Sequence, residues 1–486
     1  MDKLVVKRDE QFLIGLTESQ QKAFKDIQLW FNSKGGSSSY VLSGEAGTGK
    51  SFLTDKLIRY IFKKARKRVC VSAPTHKAVR VIESFTKLQG LTLHSLLGLR
   101  PSFNVDNFDA SNLKFETIGK LKIAAFDLVI MDESSMVSKG LYKLLDFRAV
   151  QFNCKMLFIG DKYQLLPVKE DRISTIFDIP SSSILTDIVR QQLDSPLVNI
   201  LSTLRHDVED NSSNFIRRIY NEPHNIKDGD GYSATNKKGF IKVIDNYFKR
   251  NDYADNTNYV KIGSFTNARI QKWNRYVRSL TIKSTDLIVK GDILMGYKTV
   301  VDQFLSPIVI NSNDYLVEQV DSRISDDGFR MYVLTLKDLT DDNIVFIYIV
   351  DHLDKTFKNY INILHRLHSN ARFGELLVRG SLWKMFYDYK DRYLTMRDIP
   401  IVYNDGYTSV IKKELDYGYA VTITKLQGST INNILIDMLD ICYYPPTFET
   451  LRYNTKNVPN AIDNRNRHLY TGISRASEKA ILLSRH

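Results

Sequence analysis

Tyr40-Val-Leu-Ser-Gly-Glu-Ala-Gly-Thr-Gly-Lys-Ser51 is the stretch that decides the fold. A β-like apolar run opens it and a helix-like run follows it, so its glycines fall at a strand-to-helix turn. In that setting Gly44-x-x-x-x-Gly-Lys-Ser51 reads as a phosphate-binding loop. Glycines let backbone N–H groups converge on phosphate oxygens, Lys50 brings a compact positive charge to the β- and γ-phosphates, and the Ser51 hydroxyl can ligate Mg²⁺. Gly44, Glu45, Ala46, Gly47, Thr48, Gly49, Lys50, Ser51 and Phe52 are therefore the expected nucleotide-binding run.

Outward from this loop, the apolar runs Val69–Ala73, Leu128–Met131 and 156–159 alternate with amphipathic stretches, the pattern of a doubly wound α/β domain. Ligands of such sheets bind beyond the carboxyl ends of the strands. There Leu128–Met131 runs into Asp132-Glu133, two carboxylates that can divide the labour. Asp132 would face the hydrated Mg²⁺, and Glu133 the water that attacks the γ-phosphate. The next strand ends in Gly160-Asp161, with Gln164 one turn on, an uncharged amide able to orient that water or bond the γ-phosphate.

Residues 98–125 interrupt this unit with a polar stretch carrying Phe103, Phe108 and Phe115. Residues 207–214 and 221–238 are turn-rich and are expected to form a boundary region. A second α/β unit is expected to open at 259–265 and to close with 419–424 and 480–484. Between lie β-like runs over 286–350 and a charged, aromatic, helix-like stretch over 357–392.

Composition sets limits around these motifs. With 486 residues, of which 43% are hydrophobic and 11% aromatic, the chain can fold as several packed units, which excludes wholesale disorder. The charged start MDKLVVKRDE lacks a secretory apolar core, and Ile344–Val350, among the longest apolar runs, has only strand length. A cytoplasmic setting with no membrane partner is expected. Cys70, Cys154 and Cys442 are too few and too scattered for a disulfide scaffold or a zinc knuckle. The net charge of +13 suits an anionic partner such as nucleic acid. Its densest run, over 59–68, follows the loop's helix and reads as a solvated helix end.

Taken in order, the motifs resemble those of superfamily 1B DNA helicases, of the RecD/Dda branch. Leu16-Thr-Glu-Ser-Gln20 resembles the Q motif, which gives Gln20 the adenine-reading role. Ala73-Pro-Thr-His-Lys-Ala78 and Thr92-Leu-His-Ser95 are similar to segments Ia and Ib, so Thr75, His76, His94 and Ser95 are implied strand contacts. Met131-Asp-Glu-Ser-Ser-Met136 and Gly160-Asp-Lys-Tyr-Gln-Leu-Leu-Pro-Val168 resemble motifs II and III. Leu185-Thr-Asp-Ile-Val-Arg190 resembles the segment whose arginine meets the γ-phosphate. Phe265-Thr-Asn267 and Val421-Thr-Ile-Thr-Lys-Leu-Gln-Gly428 imply DNA contacts at Thr266, Asn267, Thr422 and Lys425. Tyr470-Thr-Gly-Ile-Ser-Arg475 resembles motif VI, making Arg475 the arginine finger. Thr424 stands where the branch carries histidine, and Leu166 departs from a double proline in motif III.

The resemblance implies two RecA-like P-loop domains, with a small pin insertion in the first and an SH3-like β insertion plus helical arm in the second. Their borders would be 1–97 with 126–190, 98–125 for the pin, 191–285 with 405–486, and 286–404 for the β insertion and arm. Phe103 and Phe108 would stack on the duplex end. Lys50, Glu133, Gln164, Arg190 and Arg475 would catalyse hydrolysis of ATP with Mg²⁺, held by Ser51 and Asp132. The implied activity is translocation on single-stranded DNA, 5′ to 3′, with unwinding at single-strand/duplex junctions. A monomer is expected, with single-strand-binding or replisome proteins as partners and a host cytoplasm if the source is a phage. A nucleic-acid clamp gated by ATP without unwinding, and an RNA-directed motor, are the alternatives.

Overall fold

The computed structural model describes residues 12–33, 35, 37–65, 68–101, 115–117, 119–168, 170–189, 195–250, 252–302, 306–403, 406, 408–443 and 458–485. Its first unit is a six-stranded sheet in the order Gly90–Thr92, Val69–Ala73, Leu128–Met131, Lys155–Gly160, Ser39–Gly44 and Ser182–Leu185. Every pairing in it is parallel. Helices cover both faces, as a parallel sheet requires. Phe24, Ile27, Leu57 and Ile61 from the helices Glu18–Asn32 and Lys50–Ala65 fill one side. On the other, Leu145 and Ala149 of Lys139–Gln151 meet Met156 and Phe158. The two strands that the sequence reading omits, Gly90–Thr92 and Ser182–Leu185, are the sheet edges. Short length and a half-exposed face deprive them of a continuous apolar run.

The second sheet runs Ala420–Thr422, Val260–Ser264, Ile431–Ile436, Ala476–Leu483 and Asp230–Thr235, all parallel, with His224–Lys227 antiparallel at its edge. The expected boundary over 221–238 is thus corrected: Asp230–Thr235 is part of the sheet, with Tyr232 and Ala234 buried. Its Asp-Gly-Tyr-Ser-Ala-Thr composition conceals it, because only Tyr232 and Ala234 are apolar: both lie in the core, and the ladder with Ala476–Leu483 joins the strand to the sheet. The polar stretch 207–214 is also ordered by bonds. The buried Asp207 carboxylate accepts from the Ser212 hydroxyl and from the Asn214 and Phe215 amides, and so starts the helix Asn214–Asn221.

A third sheet interrupts the second unit. Its order is Tyr393–Leu394, Ile344–Val350, Arg330–Asp338, Asp314–Ile324, Ile293–Gly296 and Leu415–Tyr417, mostly antiparallel. The chain enters on Ile293–Gly296 and leaves on Leu415–Tyr417, which pair directly. The border placed at 404 therefore falls inside this unit, since Ile399–Val402 also pairs with Thr408–Ile411. The helices Phe357–Phe373 and Leu376–Arg392 fold back on each other across Gly374, where an added Cβ would come within 2.6 Å of the Asn370 carbonyl oxygen. Trp383 and Phe386 are buried with Tyr360, Leu364 and Ile399, so these rings hold the arm to its own base.

In the first unit, Leu99–Pro101 pairs antiparallel with Phe115–Thr117 at the root of the 98–125 insertion. Phe103 and Phe108 lie outside the described residues. Cys70 and Cys154 are buried free thiols, and burial pushes both up to about 12. Among the described residues no helix is long and apolar enough to cross a membrane.

Candidate active site

The phosphate-binding loop leaves Ser39–Gly44 and enters the helix at Lys50. Gly47 and Gly49 hold φ of 88° and 75°, a left-handed region that other residues enter at a cost. The loop closes on its own lysine: Lys50 Nζ donates to the Gly44 and Glu45 carbonyls at 2.7 and 2.8 Å. Burial pulls this ammonium below its ordinary range, with nearby Asp161 and Asp132 opposing. A phosphate would supply the charge partner that two carbonyls cannot.

Asp132 and Glu133 stand at the end of Leu128–Met131. Asp132 Oδ1 accepts from the Glu133 amide at 2.8 Å, and Glu133 adopts φ of 51°. Ser134 Oγ donates to Met131 O at 3.0 Å and Ile159 O at 2.7 Å, fixing this turn across two strand ends. Burial and the adjacent Asp132 raise Glu133 to about 7, as suits a proton acceptor near neutrality.

The opposite wall belongs to the second sheet's unit. A cavity of about 380 Å³ is lined by Lys50, Ser51, Asp132, Glu133 and Gln164 on one side and by Gly428, Ser429, Thr430 and Arg475 on the other. The Arg475 guanidinium is steadied by Thr471 O at 3.2 Å and Ser474 Oγ at 3.0 Å, and it enters no ion pair among the described residues. Gln164 Oε1 is buried without a partner, as is the Ser429 hydroxyl. Two orphaned polar atoms beside one cavity are a costly arrangement unless something arrives to bond them.

The Asp161 segment fastens the walls together. Tyr470 OH donates to Asp161 Oδ2 at 2.7 Å, and Arg467 donates to the carbonyls of Lys162 and Gln164 at 2.6 and 3.0 Å. Leu165, from the first unit, is buried in the second unit's core. The sequence reading omitted Asp161, Gly428, Ser429 and Thr430 from the site. Gly428 closes the motif V match and its φ of 73° is what puts this turn beside Glu133, a signal present in the sequence.

Not every expected residue reaches the cavity. Gln20 is buried beside the loop with both ends of its amide engaged: Oε1 accepts from the Thr17 amide at 3.0 Å and Nε2 donates to Thr48 O at 2.9 Å. Reading an adenine edge would require exchange of one of these bonds. Arg190 lies outside the described residues, although Val189 donates to Gly47 O at 2.8 Å and lines the cavity.

The expected strand contacts form two groups at strand ends. Ala73 and Thr92 are paired neighbours, which places Thr75 and His76 beside His94 and Ser95. Ser264 pairs with Thr422, bringing Thr266 and Asn267 near that strand end. Thr75 and Thr266 cap helices, accepting from the Ala78 and Arg269 amides, and Thr266 also bonds Asp440. Ser95 accepts from Lys122, and Thr422 bonds Thr424. Lys425 turns away from the group: its ammonium bonds Asn311 and Gly296 O in the third sheet's unit, with the Tyr297 ring 4.4 Å off.

The sequence has known relatives. The AAA domain model matches residues 15–227. The ATP-dependent DNA helicase dda of Enterobacteria phage T4 is 23% identical over 58% of this chain and 60% of its own length. The ATP-dependent DNA helicase Pif1 of Campylobacter jejuni is 34% identical over 28% of this chain and 31% of its own. In these matches the chain is similar to ATP-dependent DNA helicases of the Dda and Pif1 kind. A third relative, uncharacterized protein R530 of Acanthamoeba polyphaga mimivirus, is 22% identical over 90% of this chain and 94% of its own length. The cavity between the two units is the candidate nucleotide site. The family motifs account for both of its walls, and the third sheet's unit is an insertion in the second.

Proposed function

We propose that this chain hydrolyses ATP to move 5′ to 3′ along single-stranded DNA and to separate duplex ahead of it. One observation carries the reading: Lys50 of the first unit and Arg475 of the second face the same cavity, so hydrolysis needs both walls together. Glu133 accepts the proton of the attacking water as its oxygen bonds the γ-phosphorus, and the bond to the ADP oxygen breaks. Gln164 offers its unpaired Oε1 to that water, and Arg475 meets the charge that builds on the γ-phosphoryl oxygens. Mg²⁺ fits the donor set. The Ser51 hydroxyl and Asp132 line one cavity, and the Asp132 oxygen not bonded to Glu133 has no protein partner among the described residues. When bound, the ion would neutralise phosphate charge.

DNA as the track is supported by the printed names of the T4 and C. jejuni relatives. Both cavity walls come from one chain, which supports a monomer as the working unit, and a cytoplasmic setting accords with this reading. The test is ATPase rate with and without single-stranded DNA, followed by strand displacement on 5′- and 3′-tailed duplexes. Stimulation and displacement of the 5′-tailed substrate alone are expected, both abolished in Lys50→Ala with its fold intact. Absence of stimulation by both DNA and RNA refutes the motor. Stimulation without displacement identifies a clamp, and stimulation by RNA alone an RNA-directed motor.

A further inference from the structure

Glu45 is the second residue of the phosphate-binding loop, and its backbone carbonyl accepts from both Lys50 and Thr48. Its side chain puts a carboxylate on a loop built to receive phosphates. A fixed negative charge there opposes an anionic ligand unless a cation cancels it. The cation comes from the other wall: Arg205 Nε lies 2.9 Å from Glu45 Oε1, with the two side chains only 12% and 25% exposed. Arg205 rides on the helix Pro196–Glu209, whose Leu197, Ile200, Leu201 and Leu204 are buried in the second unit's core. The cation therefore moves with the second unit, while the carboxylate stays with the loop.

We propose that Glu45 and Arg205 form a charge pair across the cleft that makes nucleotide affinity conditional on closure. With the units apart, Glu45 loses its ion-pair partner, keeps only the loop's own Lys50, for which it competes with the phosphates, and opposes them. With them together, Arg205 cancels it and the loop accepts its ligand. By reciprocity, a bound nucleotide draws the second unit in by the same factor that closure tightens binding. Arg205 acts through Glu45 and is a positioning residue. This inference rests on the two-walled ATPase reading above.

The test is equilibrium binding of a fluorescent, non-hydrolysable ATP analogue with Mg²⁺ to the full chain and to Glu45→Gln, Arg205→Gln and the double variant, each checked for an unchanged fold by circular dichroism. Arg205→Gln is expected to weaken binding by about fivefold or more, the low end of typical coupling. Glu45→Gln is expected to tighten it, and the double variant to bind like Glu45→Gln. Equal weakening by both single variants marks a merely structural pair and overturns the proposal. So does a full loss from Arg205→Gln in the Glu45→Gln background, which would place the guanidinium on the nucleotide itself. The ATPase of the unaltered chain, measured with and without DNA, separates these outcomes from failure of the motor reading, because binding affinities stand whether or not DNA stimulates turnover.

Discussion

Lys425, in the short helix Ile423–Leu426, is engaged by the third sheet's unit. Its place in motif V implies a phosphate contact, yet its ammonium is spent on Asn311 and Gly296 O, and burial lowers it to about 7. Lys425→Ala should therefore destabilise the fold by about 1.5–3 kcal/mol, typical of hydrogen bonds to a charged group, and so lower the melting temperature. Single-strand affinity, followed by fluorescence anisotropy, should change less than about threefold, well short of a lost base contact. Loss of DNA affinity at unchanged stability would return Lys425 to the track. Lys50, Asp132 and Glu133 were legible because their chemistry is local: a turn, a strand end and neighbours in sequence. Arg205 was not, since only the folded chain brings position 205 to position 45.

At the scale of elements, the central strands announced themselves as apolar runs, whereas Asp230–Thr235 buries only Tyr232 and Ala234 and joins the sheet through ladder bonds that no local pattern reveals. The arm was legible as helix, and its hairpin form depends on the Gly374 break. Its core contains a liability. His368 is buried against Trp383 and Phe386, bonds Tyr403, and leaves Nε2 without a partner. Burial and nearby Arg372 lower it to about 4, against an ordinary value near 6.5. The folded arm thus holds the neutral ring, and protons bind the unfolded chain first. Stability is complete above pH 6.5 and falls as pH drops toward 4. Thermal melts between pH 7 and 4, with the emission of Trp383 as reporter, should show that loss, and His368→Phe should flatten it. An equal pH slope in both proteins would rule His368 out as the cause.

For the whole molecule, the three sheets follow in the order that the apolar runs set out, and residues of the expected motifs line the cavity. What the sequence reading missed are the ties between units, such as Tyr470 to Asp161 and Arg80 to Asp338 at 2.6 Å, made across hundreds of residues and therefore invisible to periodicity. The pairing of Ile293–Gly296 with Leu415–Tyr417 bears on the chain's history and its engineering. Gly296 faces Leu415, so everything between them is a detour that starts and finishes at one place, and a two-residue turn of the hairpin type would close the gap. A chain shortened in this way should fold and bind nucleotide with an intact cleft, while strand displacement falls to background. Failure of the shortened chain to fold would show that the detour is scaffold. Survival of both properties would make it an appendage, added to a motor that already ran without it.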